Sequence, residues 1–248
     1  MAYTSFASGY DDFTGKIKYE TWLCGELIPR LERQGLTKGR LLDVGCGTGS
    51  TFKPMLLRGW EVVGCDASAE MIDVARRKFN DVRLEVLDAR ELPFLGKFQL
   101  VWALNDVMNY LVDDGDLERA CRGMAANLAS DGLLLFDANT LALCTQIFLR
   151  GGEGMEKGGW RWTGVSDRVE AGGTFTAEVS KMSDDGSDLE IHHERHWQGH
   201  QVTEALKGAG LNLLAAFGQR DEGEGILLAE PPDEQNYSKT IYIASLAR

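Results

Sequence analysis

The segment from Gly39 to Ser50, GRLLDVGCGTGS, constrains the fold of this chain more than any other stretch. A short apolar run, LLDV, leads directly into three glycines at positions 45, 47 and 49. This pattern is typical of a buried strand that ends in a tight turn, because glycine lets the backbone turn sharply and lets a ligand approach closely. A dinucleotide fingerprint has its third glycine where this chain has Ser50, so the loop disfavours an NAD-dependent reductase.

Strand and helix patterns alternate on both sides of this loop. Strand patterns lie at 39–44, 61–65, 82–86, 98–104 and 132–136, and helical patterns lie at 18–33, 50–57, 66–78 and 116–128. Ser68 is the predicted N-cap of the third helix. The alternation predicts an α/β fold with a doubly wound, seven-stranded, mostly parallel sheet, and a ligand site beyond the carboxyl ends of its strands.

The pattern becomes β-like between residues 151 and 198. Trp, Thr and Val alternate with polar residues there, and SDDGSD at 183–188 is typical of a hairpin connection. We predict a small antiparallel sheet over residues 151–198, inserted as a lid into a single domain that spans residues 1–248. A helix and two strands then complete the main sheet, at 202–208, 211–217 and 240–246.

Three acids end three successive predicted strands. Asp43 precedes the glycine loop, Asp66 ends the second strand, and Asp88 with Ala89 follows the third. An acid after the second strand can accept hydrogen bonds from both hydroxyls of a ribose, and one after the third can meet an adenine amino group. Since the carboxyl ends of parallel strands share one edge of the sheet, these acids predict a nucleoside pocket without a pyrophosphate.

Four stretches carry a resemblance to a known family. In order and spacing, LLDVGCGTG, VVGCDAS, LDARELPF and FQLVWALNDVMNYL resemble the class I, Rossmann-like S-adenosylmethionine-dependent methyltransferases over residues 39–137. The resemblance implies methyl transfer as the reaction and S-adenosyl-L-methionine as the cofactor. By this resemblance, the cofactor-binding residues are Asp43, Gly45, Cys46, Gly47, Asp66, Ala67, Met71, Asp88, Ala89, Leu104 and Asn105.

The N-terminal text FASGYDDFTGKIKYETW also resembles an opening found in small-molecule members of this class. There, an aromatic-bearing first helix closes over the cofactor. The resemblance makes Tyr10 a candidate cofactor contact and Tyr19 a candidate catalytic residue. Ordinary packing is the alternative for each tyrosine.

Methyl transfer requires an acceptor aligned with the methyl group and protected from water. By topology, the acceptor pocket lies between residues 105–110, the predicted lid and the loop at 220–239. Asn109 and Trp160 are candidate substrate contacts. The motif of nucleic-acid amino-methyltransferases, N/D-P-P-aromatic, is replaced here by NDVM at 105–108, which disfavours a DNA base as the acceptor.

All four histidines lie in HHERHWQGH, residues 192–200. On a helix, three of them would share one face and could bind zinc. The segment follows a predicted hairpin, however, and as a strand it would turn Ile191 and Trp197 inward together with His193. With no cysteine nearby, we predict no metal. His196 or His193 is the candidate general base, with a polar exposed strand as the alternative.

Composition excludes several classes of function. The net charge of −12 disfavours a nucleic-acid partner, which requires clusters of Lys and Arg. Five cysteines without a C-x-x-C pair are typical of reduced thiols. The N-terminus lacks the pattern of a signal peptide, and no apolar stretch approaches the roughly 20 residues of a membrane span. We therefore expect a cytoplasmic protein that makes no membrane contact.

The sequence predicts an S-adenosylmethionine-dependent methyltransferase acting on N or O of a small molecule, such as an amino-sugar or other natural-product intermediate. Two alternatives stay open. One is a non-catalytic S-adenosylmethionine-binding module, and the other is a methyltransferase acting on protein or RNA. The oligomeric state also stays open, with a homodimer as one option.

Overall fold

Five parallel strands form the centre of the main sheet. The computed structural model describes residues 3–15, 23–182, 188–222, 225–229 and 231–247. The strands are β1 Arg40–Val44, β2 Glu61–Asp66, β3 Arg83–Val86, β4 Phe98–Ala103 and β5 Leu128–Asn139. β1 pairs in parallel with both β2 and β4, so the strand order reverses at β1. Ligands bind at such a reversal, beyond the carboxyl ends of the strands.

A second, smaller sheet follows β5 in the chain. Its strands are β6 Met155–Lys157, β7 Trp160–Gly164, β8 Thr174–Lys181 and β9 Leu189–Arg195. They pair antiparallel in chain order, as the sequence predicted. The predicted hairpin connection at 183–188 lies almost wholly outside the described residues. That this sheet acts as a lid stays a prediction.

Three further strands complete the main sheet at one edge. They are β10 Leu211–Glu222, β11 Gly225–Ala229 and β12 Lys239–Leu246. The strand order is β11-β10-β12-β5-β4-β1-β2-β3. β12 is antiparallel to both β5 and β10, so β10 runs in the same direction as the central strands. The predicted fold class, a mostly parallel α/β sheet with a small antiparallel sheet, is confirmed.

In the part of the chain that the structure describes, the main sheet has eight strands rather than the predicted seven. β10 continues beyond residue 217 and pairs with β11, inside the stretch that the sequence predicted as a loop. The polar text GQRDEGEG concealed this pairing. Polar residues are compatible with strands at a sheet edge, where one side of the strand stays in water.

The described residues include seven α-helices, two before β1 and five between strands. They are α1 Tyr10–Thr14, α2 Ile28–Arg33, α3 Lys53–Leu56, α4 Ala69–Lys78, α5 Asp116–Asn127, α6 Leu141–Phe148 and α7 Gly199–Gly208. The Ser68 side chain accepts a hydrogen bond from the Met71 N–H, which confirms it as the N-cap of α4. None of these helices is long and apolar enough to cross a membrane.

The main sheet buries both of its faces. Adjacent residues of a strand point to opposite faces, so Leu41 and Leu42 of β1 belong to two different apolar clusters. On β4, Val101 packs toward α5 and α7, while Trp102 packs toward α2 and α3. Burial on both faces fixes the register of these strands, because a slip of one residue would exchange the two faces.

A third apolar cluster joins the small sheet to the rest of the chain. It combines Trp160, Trp162 and Phe175 of the small sheet with Phe148 of α6 and Phe6 near the N-terminus. The rings of Phe6 and Trp160 lie 5.0 Å apart. This packing holds the N-terminal segment and the small sheet beside the carboxyl ends of the central strands.

Candidate active site

A cavity of about 260 Å³ lies at the point where the strand order reverses. The carboxyl ends of β1, β2 and β4 form its floor, and residues near the N-terminus cover it. Its lining residues are Tyr3, Tyr10, Gly45, Cys46, Gly47, Thr48, Ser50, Thr51, Asp66, Ala67, Ser68, Met71, Leu87, Asp88, Ala89, Arg90, Leu104, Asn105, Val107, Tyr110 and Leu111.

The glycine loop forms one wall of the cavity in a conformation that favours glycine. Gly45, Gly47 and Gly49 have φ values of +70°, +51° and +88°. A Cβ at Gly45 would lie 2.3 Å from a methyl group of Val107, whereas a Cβ at Gly47 would meet no described atom within 4 Å. Gly45 is therefore required for packing, and Gly47 leaves open space beside the cavity.

Asp66 at the end of β2 is oriented by backbone donors. Its Oδ2 accepts from the Gly47 N–H at 2.8 Å, and its Oδ1 accepts from the Ser68 N–H at 2.8 Å. Burial raises the pKa of Asp66, and these two donors lower it in part. Each carboxylate oxygen retains a further lone pair. The side chain can therefore accept hydrogen bonds from two neighbouring hydroxyls of a ligand.

Asp88 lies beyond the end of β3 and forms an ion pair at the cavity wall. Its carboxylate accepts from the Arg90 guanidinium, with Oδ2 at 2.5 Å from Nη2, and from the Arg90 N–H at 2.8 Å. The hydrogen bonds from Arg90 lower the pKa of Asp88, so it stays ionised. Together with Ala89 and Leu87, it forms a wall that is polar at one point and apolar elsewhere.

The loop after β4 has an unusual backbone. Asn105 and Asp106 both have positive φ, +75° and +70°, which is costly for residues other than glycine. The buried carboxylate of Asp137 accepts both of their N–H groups, at 2.8 and 2.9 Å. Lys239 of β12 contacts the carboxylates of Asp106 and Asp137. This buried ion cluster fixes the loop in place beside the cavity.

The N-terminal segment closes the cavity on the side facing the small sheet. The Glu190 carboxylate of β9 accepts hydrogen bonds from three backbone N–H groups, those of Tyr3, Thr4 and Phe6, and from two hydroxyls. The Tyr10 hydroxyl accepts from the Asn105 side chain at 3.0 Å. These contacts place two tyrosine rings, those of Tyr3 and Tyr10, in the cavity wall.

The segment is also tied to the glycine loop and to α4. Asp11 accepts from the Thr48 hydroxyl at 2.5 Å and from the Lys78 ammonium at 2.7 Å. Hydrogen bonds and an ion pair of the N-terminal segment therefore link the small sheet to the glycine loop and α4 at the floor of the cavity. A ligand enclosed in the cavity would be covered by this connected segment.

Most of the residues predicted to bind a cofactor lie together in this cavity. Tyr10, Gly45, Cys46, Gly47, Asp66, Ala67, Met71, Asp88, Ala89, Leu104 and Asn105 all line it. Asp43 does not. Its carboxylate is fully buried and accepts from the Thr51 hydroxyl at 2.6 Å, and burial raises its pKa to about 7. Asp43 therefore braces the glycine loop from below rather than contacting the cavity.

The predicted substrate contacts have structural partners instead. The Asn109 side chain is fully buried; it donates to the Arg195 carbonyl at 2.8 Å and accepts from the Asn139 N–H at 3.0 Å. It thus joins β5 to β9. Trp160 is buried against Phe6. Neither belongs to the described cavity lining. Tyr19, the catalytic candidate, lies outside the described residues.

The prediction of which face of β9 turns inward was wrong. Ile191 and His193 are exposed, whereas Glu190, His192 and Glu194 are buried. The reason is that the polar side chains on the buried face find polar partners beside the aromatic rings of Tyr3 and Trp162. Each of the three buried side chains meets polar partners from elsewhere in the chain, so burying them carries a smaller cost.

The two histidines predicted as bases lie away from the cavity. His193 contacts the Thr176 hydroxyl at 2.9 Å on the outer face of the small sheet. His196 is buried; its Nδ1 accepts from the Gly172 N–H at 3.2 Å, and its Nε2 lies 3.1 Å from Glu234. Neither belongs to the described cavity lining. A role for either of them as a base stays a prediction.

Sequence reasoning missed four residues that shape the site, namely Tyr3, Tyr110, His192 and Glu190. Tyr110 and Tyr3 line the cavity, and their hydroxyls lie 2.8 Å apart. His192 and Glu190 contact them from β9. The alternation of Glu190, His192 and Glu194 was a usable signal, since three polar residues with a period of two share one face of a strand.

Comparisons with known proteins agree with this arrangement. Residues 41–132 match the family model described as a methyltransferase domain. The chain is 32% identical over 152 residues to the putative methyltransferase YqeM of Bacillus subtilis (strain 168), which covers 60% of each chain. It is 25% identical over 207 residues to the dTDP-3-amino-3,6-dideoxy-alpha-D-glucopyranose N,N-dimethyltransferase of Streptomyces fradiae, which covers 76% of each.

A solved structure extends the likeness to the whole fold. A S-adenosylmethionine-dependent methyltransferase from Clostridium acetobutylicum ATCC 824 has a TM-score of 0.78 to this chain at 22% identity, and the match covers 100% of both chains. The fold of this chain is thus the Rossmann-like fold of that solved structure. The family model matches residues 41–132 of the chain, and the chain spans about 60% of the length of the Bacillus relative.

Proposed function

We propose that this protein is an S-adenosylmethionine-dependent methyltransferase that acts on N or O of a small molecule. One observation carries the proposal. A single cavity joins a glycine loop, an acid with both oxygens oriented at the end of β2, and an apolar wall after β3. These are the groups that a nucleoside with a short polar tail requires, and each comes from a different loop at the strand reversal.

The residues present fit S-adenosyl-L-methionine as the cofactor. Asp66 would accept from the ribose hydroxyls, since each of its oxygens has a free lone pair. Met71, Leu87 and Ala89 would flank the adenine. The open space beside Gly47 would admit the methionine part, near Asn105 and Tyr10. A cavity with acidic groups on its walls suits a ligand that carries a positive charge and no phosphate.

When bound, S-adenosylmethionine supplies a methyl group already activated by the sulfonium. The chain's own groups then have to exclude water and align the acceptor. The N-terminal segment, held by Glu190 and by Asp11, provides the cover that excludes water. The loop after β4, fixed by Asp137 and Lys239, provides a rigid wall against which an acceptor can be aligned.

A relative of the chain and its net charge favour a small molecule as the methyl acceptor. The Streptomyces fradiae relative is, by its name, an amino-sugar N,N-dimethyltransferase, and we extend this class to the present chain as an amino-sugar or related natural-product intermediate. The net charge of −12 disfavours a nucleic acid, because binding its phosphates requires clustered cations.

A transfer assay tests the proposal. The purified protein is incubated with methyl-labelled S-adenosylmethionine and a panel containing a dTDP-3-amino-3,6-dideoxy sugar, a hydroxylated sugar nucleotide, a malonyl thioester, tRNA and a protein extract. We expect label in a small molecule and stoichiometric S-adenosylhomocysteine. Label only in tRNA or protein would contradict the small-molecule assignment. Tight S-adenosylhomocysteine binding without transfer to any acceptor would favour a non-catalytic binding module.

A further inference from the structure

Three side chains form a continuous hydrogen-bonded chain that begins at the cavity and ends inside the protein. The Tyr3 and Tyr110 hydroxyls lie 2.8 Å apart, and the Tyr110 hydroxyl lies 2.8 Å from Nδ1 of His192. Both tyrosines line the cavity. His192 is fully buried, between the rings of Tyr3 at 4.9 Å and Trp162 at 5.1 Å. A ligand in the cavity can therefore reach the tyrosine end of this hydrogen-bonded series of side chains.

The protonation state of His192 determines which group is the donor in each of these hydrogen bonds. Burial lowers the pKa of His192 to about 4, although Glu190 raises it in part, so the ring is neutral. Its Nε2 has no hydrogen-bond partner among the described residues, and the nearest charge is Glu190 Oε2 at 3.6 Å. A carboxylate next to Nε2 favours a proton there rather than a second lone pair. Nδ1 then has to accept, and the Tyr110 hydroxyl has to donate to it.

The donor in the hydrogen bond between the two tyrosines follows from this assignment. Because the Tyr110 proton points at His192, the Tyr110 oxygen can only accept, so the Tyr3 hydroxyl donates to it. Burial raises the pKa of both tyrosines well above the usual value, which keeps both protons in place. Glu194 also faces Tyr110. Burial and Asp106 raise the pKa of Glu194 well above its usual value, and its Oε2 accepts from the Asn139 side chain at 3.0 Å.

We propose that His192 acts as a positioning residue that turns the Tyr3 and Tyr110 oxygens into hydrogen-bond acceptors for the methyl acceptor. This proposal rests on the proposed function and narrows its substrate class. The acceptor must present an N–H or O–H donor, as an amine or a hydroxyl does. A donated hydrogen bond fixes the orientation of the remaining lone pair relative to the methyl group. A carboxylate acceptor, which only accepts hydrogen bonds, would face oxygens that also only accept.

The tautomer of His192 is the first test. The protein has four histidines, so the ring nitrogens of protein labelled with ¹⁵N-histidine give a spectrum that can be assigned with His192→Asn. We expect His192 to be neutral, with its proton on Nε2, from about pH 8 down to about pH 5. The titratable groups around it are Glu190, His193 and Glu194 on the same strand, with Tyr3 and Tyr110 from the facing segments. A proton on Nδ1, or an imidazolium in this range, would overturn the proposal.

A variant series tests the role in transfer. Tyr110→Phe removes the donor to Nδ1, and His192→Leu removes the acceptor. The Asn side chain in His192→Asn offers its amide oxygen near the position of Nδ1. With the dTDP-3-amino-3,6-dideoxy sugar as the amine probe, we expect kcat to fall about 10–100-fold in the first two variants, and His192→Asn to restore most of it. His200→Asn, an exposed histidine on α7, is the matched control.

Cofactor binding separates this proposal from the proposed function. His192 does not belong to the described cavity lining, so His192→Leu and His192→Asn should bind S-adenosylhomocysteine with the affinity of the natural protein. Failure of the natural protein to bind it would contradict the proposed function and leave the tautomer result standing. Methylation of the malonyl thioester carboxylate instead of the amine would overturn the present proposal alone. If neither probe is methylated, the tautomer of His192 tests the proposal: a proton on Nε2 supports it, and a proton on Nδ1 overturns it.

Discussion

At the scale of single residues, Asp43 and Asp66 show what the sequence could and could not predict. Both end buried strands beside the glycine loop, and the sequence treats them alike. In the structure, Asp66 lines the cavity while Asp43 is sealed beneath it by Thr51. The acid at each strand end was predictable, because parallel strands present their carboxyl ends together. The burial of Asp43 by Thr51 was not predictable, because it depends on how the turn after the glycines folds back.

Asp66 is the side chain whose loss should affect the cofactor most. Asp66→Ala leaves the ribose hydroxyls without acceptors, so we expect the dissociation constant for S-adenosylhomocysteine to rise about 10–100-fold. Asp66→Asn, which keeps one acceptor oxygen, should lose less. Asp73→Asn changes an exposed acid on α4 and serves as the control. Calorimetric titration measures all three, and an affinity unchanged in Asp66→Ala would contradict the pocket described here.

Asp43 should make stability depend on pH. Burial raises its pKa from 3.8 to about 7, so the folded protein favours the neutral form. This contribution is complete at low pH and is lost as the pH rises through about 7, because the unfolded chain ionises more readily. Asp43→Asn is neutral throughout. Relative to the natural protein, we expect its free energy of unfolding to increase by about 1–3 kcal/mol between about pH 5 and about pH 8.

Urea unfolding at the two pH values measures this difference. Asp73→Asn again provides the control, since that carboxylate is exposed and forms an ion pair at 3.6 Å with Arg76. A difference between Asp43→Asn and the natural protein that is the same at both pH values would show that Asp43 is already ionised in the folded state.

At the scale of elements, β9 is the strand whose role the sequence did not predict. The hairpin pattern predicted the strand itself. The prediction of its buried face was wrong, because that prediction took the apolar residue Ile191 to mark the buried face. The buried face instead carries Glu190, His192 and Glu194, which join the N-terminal segment, the turn at Tyr110 and β5. Strand periodicity predicts which residues share a face, but their partners decide which face is buried.

The contact between Glu190 and the N-terminal segment should control access to the cavity. Glu190→Gln removes the charge and one of the two acceptor oxygens. We expect the amides of Thr4 and Phe6 to exchange hydrogen about 10-fold faster, and S-adenosylhomocysteine to dissociate faster. Glu178→Gln changes a half-buried carboxylate on the neighbouring strand β8 and should leave both rates unchanged. Equal exchange rates in Glu190→Gln and the natural protein would contradict the clamp.

The same contact should weaken in acid. Burial alone would raise the pKa of Glu190, but the donors of Phe6, Thr4 and Ser5 lower it below its usual value. For a carboxylate with a lowered pKa, the stabilisation is present above the unfolded value and is lost as the pH falls through the folded value. Protection of the Thr4 and Phe6 amides should therefore fall in acid in the natural protein. Glu190→Gln should show no such dependence.

At the scale of the whole molecule, the mostly parallel α/β sheet and the position of the site beyond the carboxyl ends of its strands followed from the sequence. Apolar runs separated by helical patterns define a parallel α/β sheet, and the glycine loop marks its point of reversal. The eighth strand was missed because the end of β10 and the residues that follow it, GQRDEGEG, are polar and predicted a loop. The acceptor side was also missed. Tyr3 and Tyr110 are 107 positions apart in the sequence, Tyr110 and His192 are 82 positions apart, and the three residues meet only in the folded chain.

Calorimetric titration of the natural protein with S-adenosylhomocysteine, beside an equal titration with NADH, tests the central claim most directly. Both ligands contain an adenosine, but only one lacks a pyrophosphate. We expect saturable one-to-one binding of S-adenosylhomocysteine in the micromolar range, about −8 kcal/mol, and no heat of binding with NADH. Binding of NADH in preference to S-adenosylhomocysteine, or of neither, would contradict the assignment of this cavity to S-adenosylmethionine.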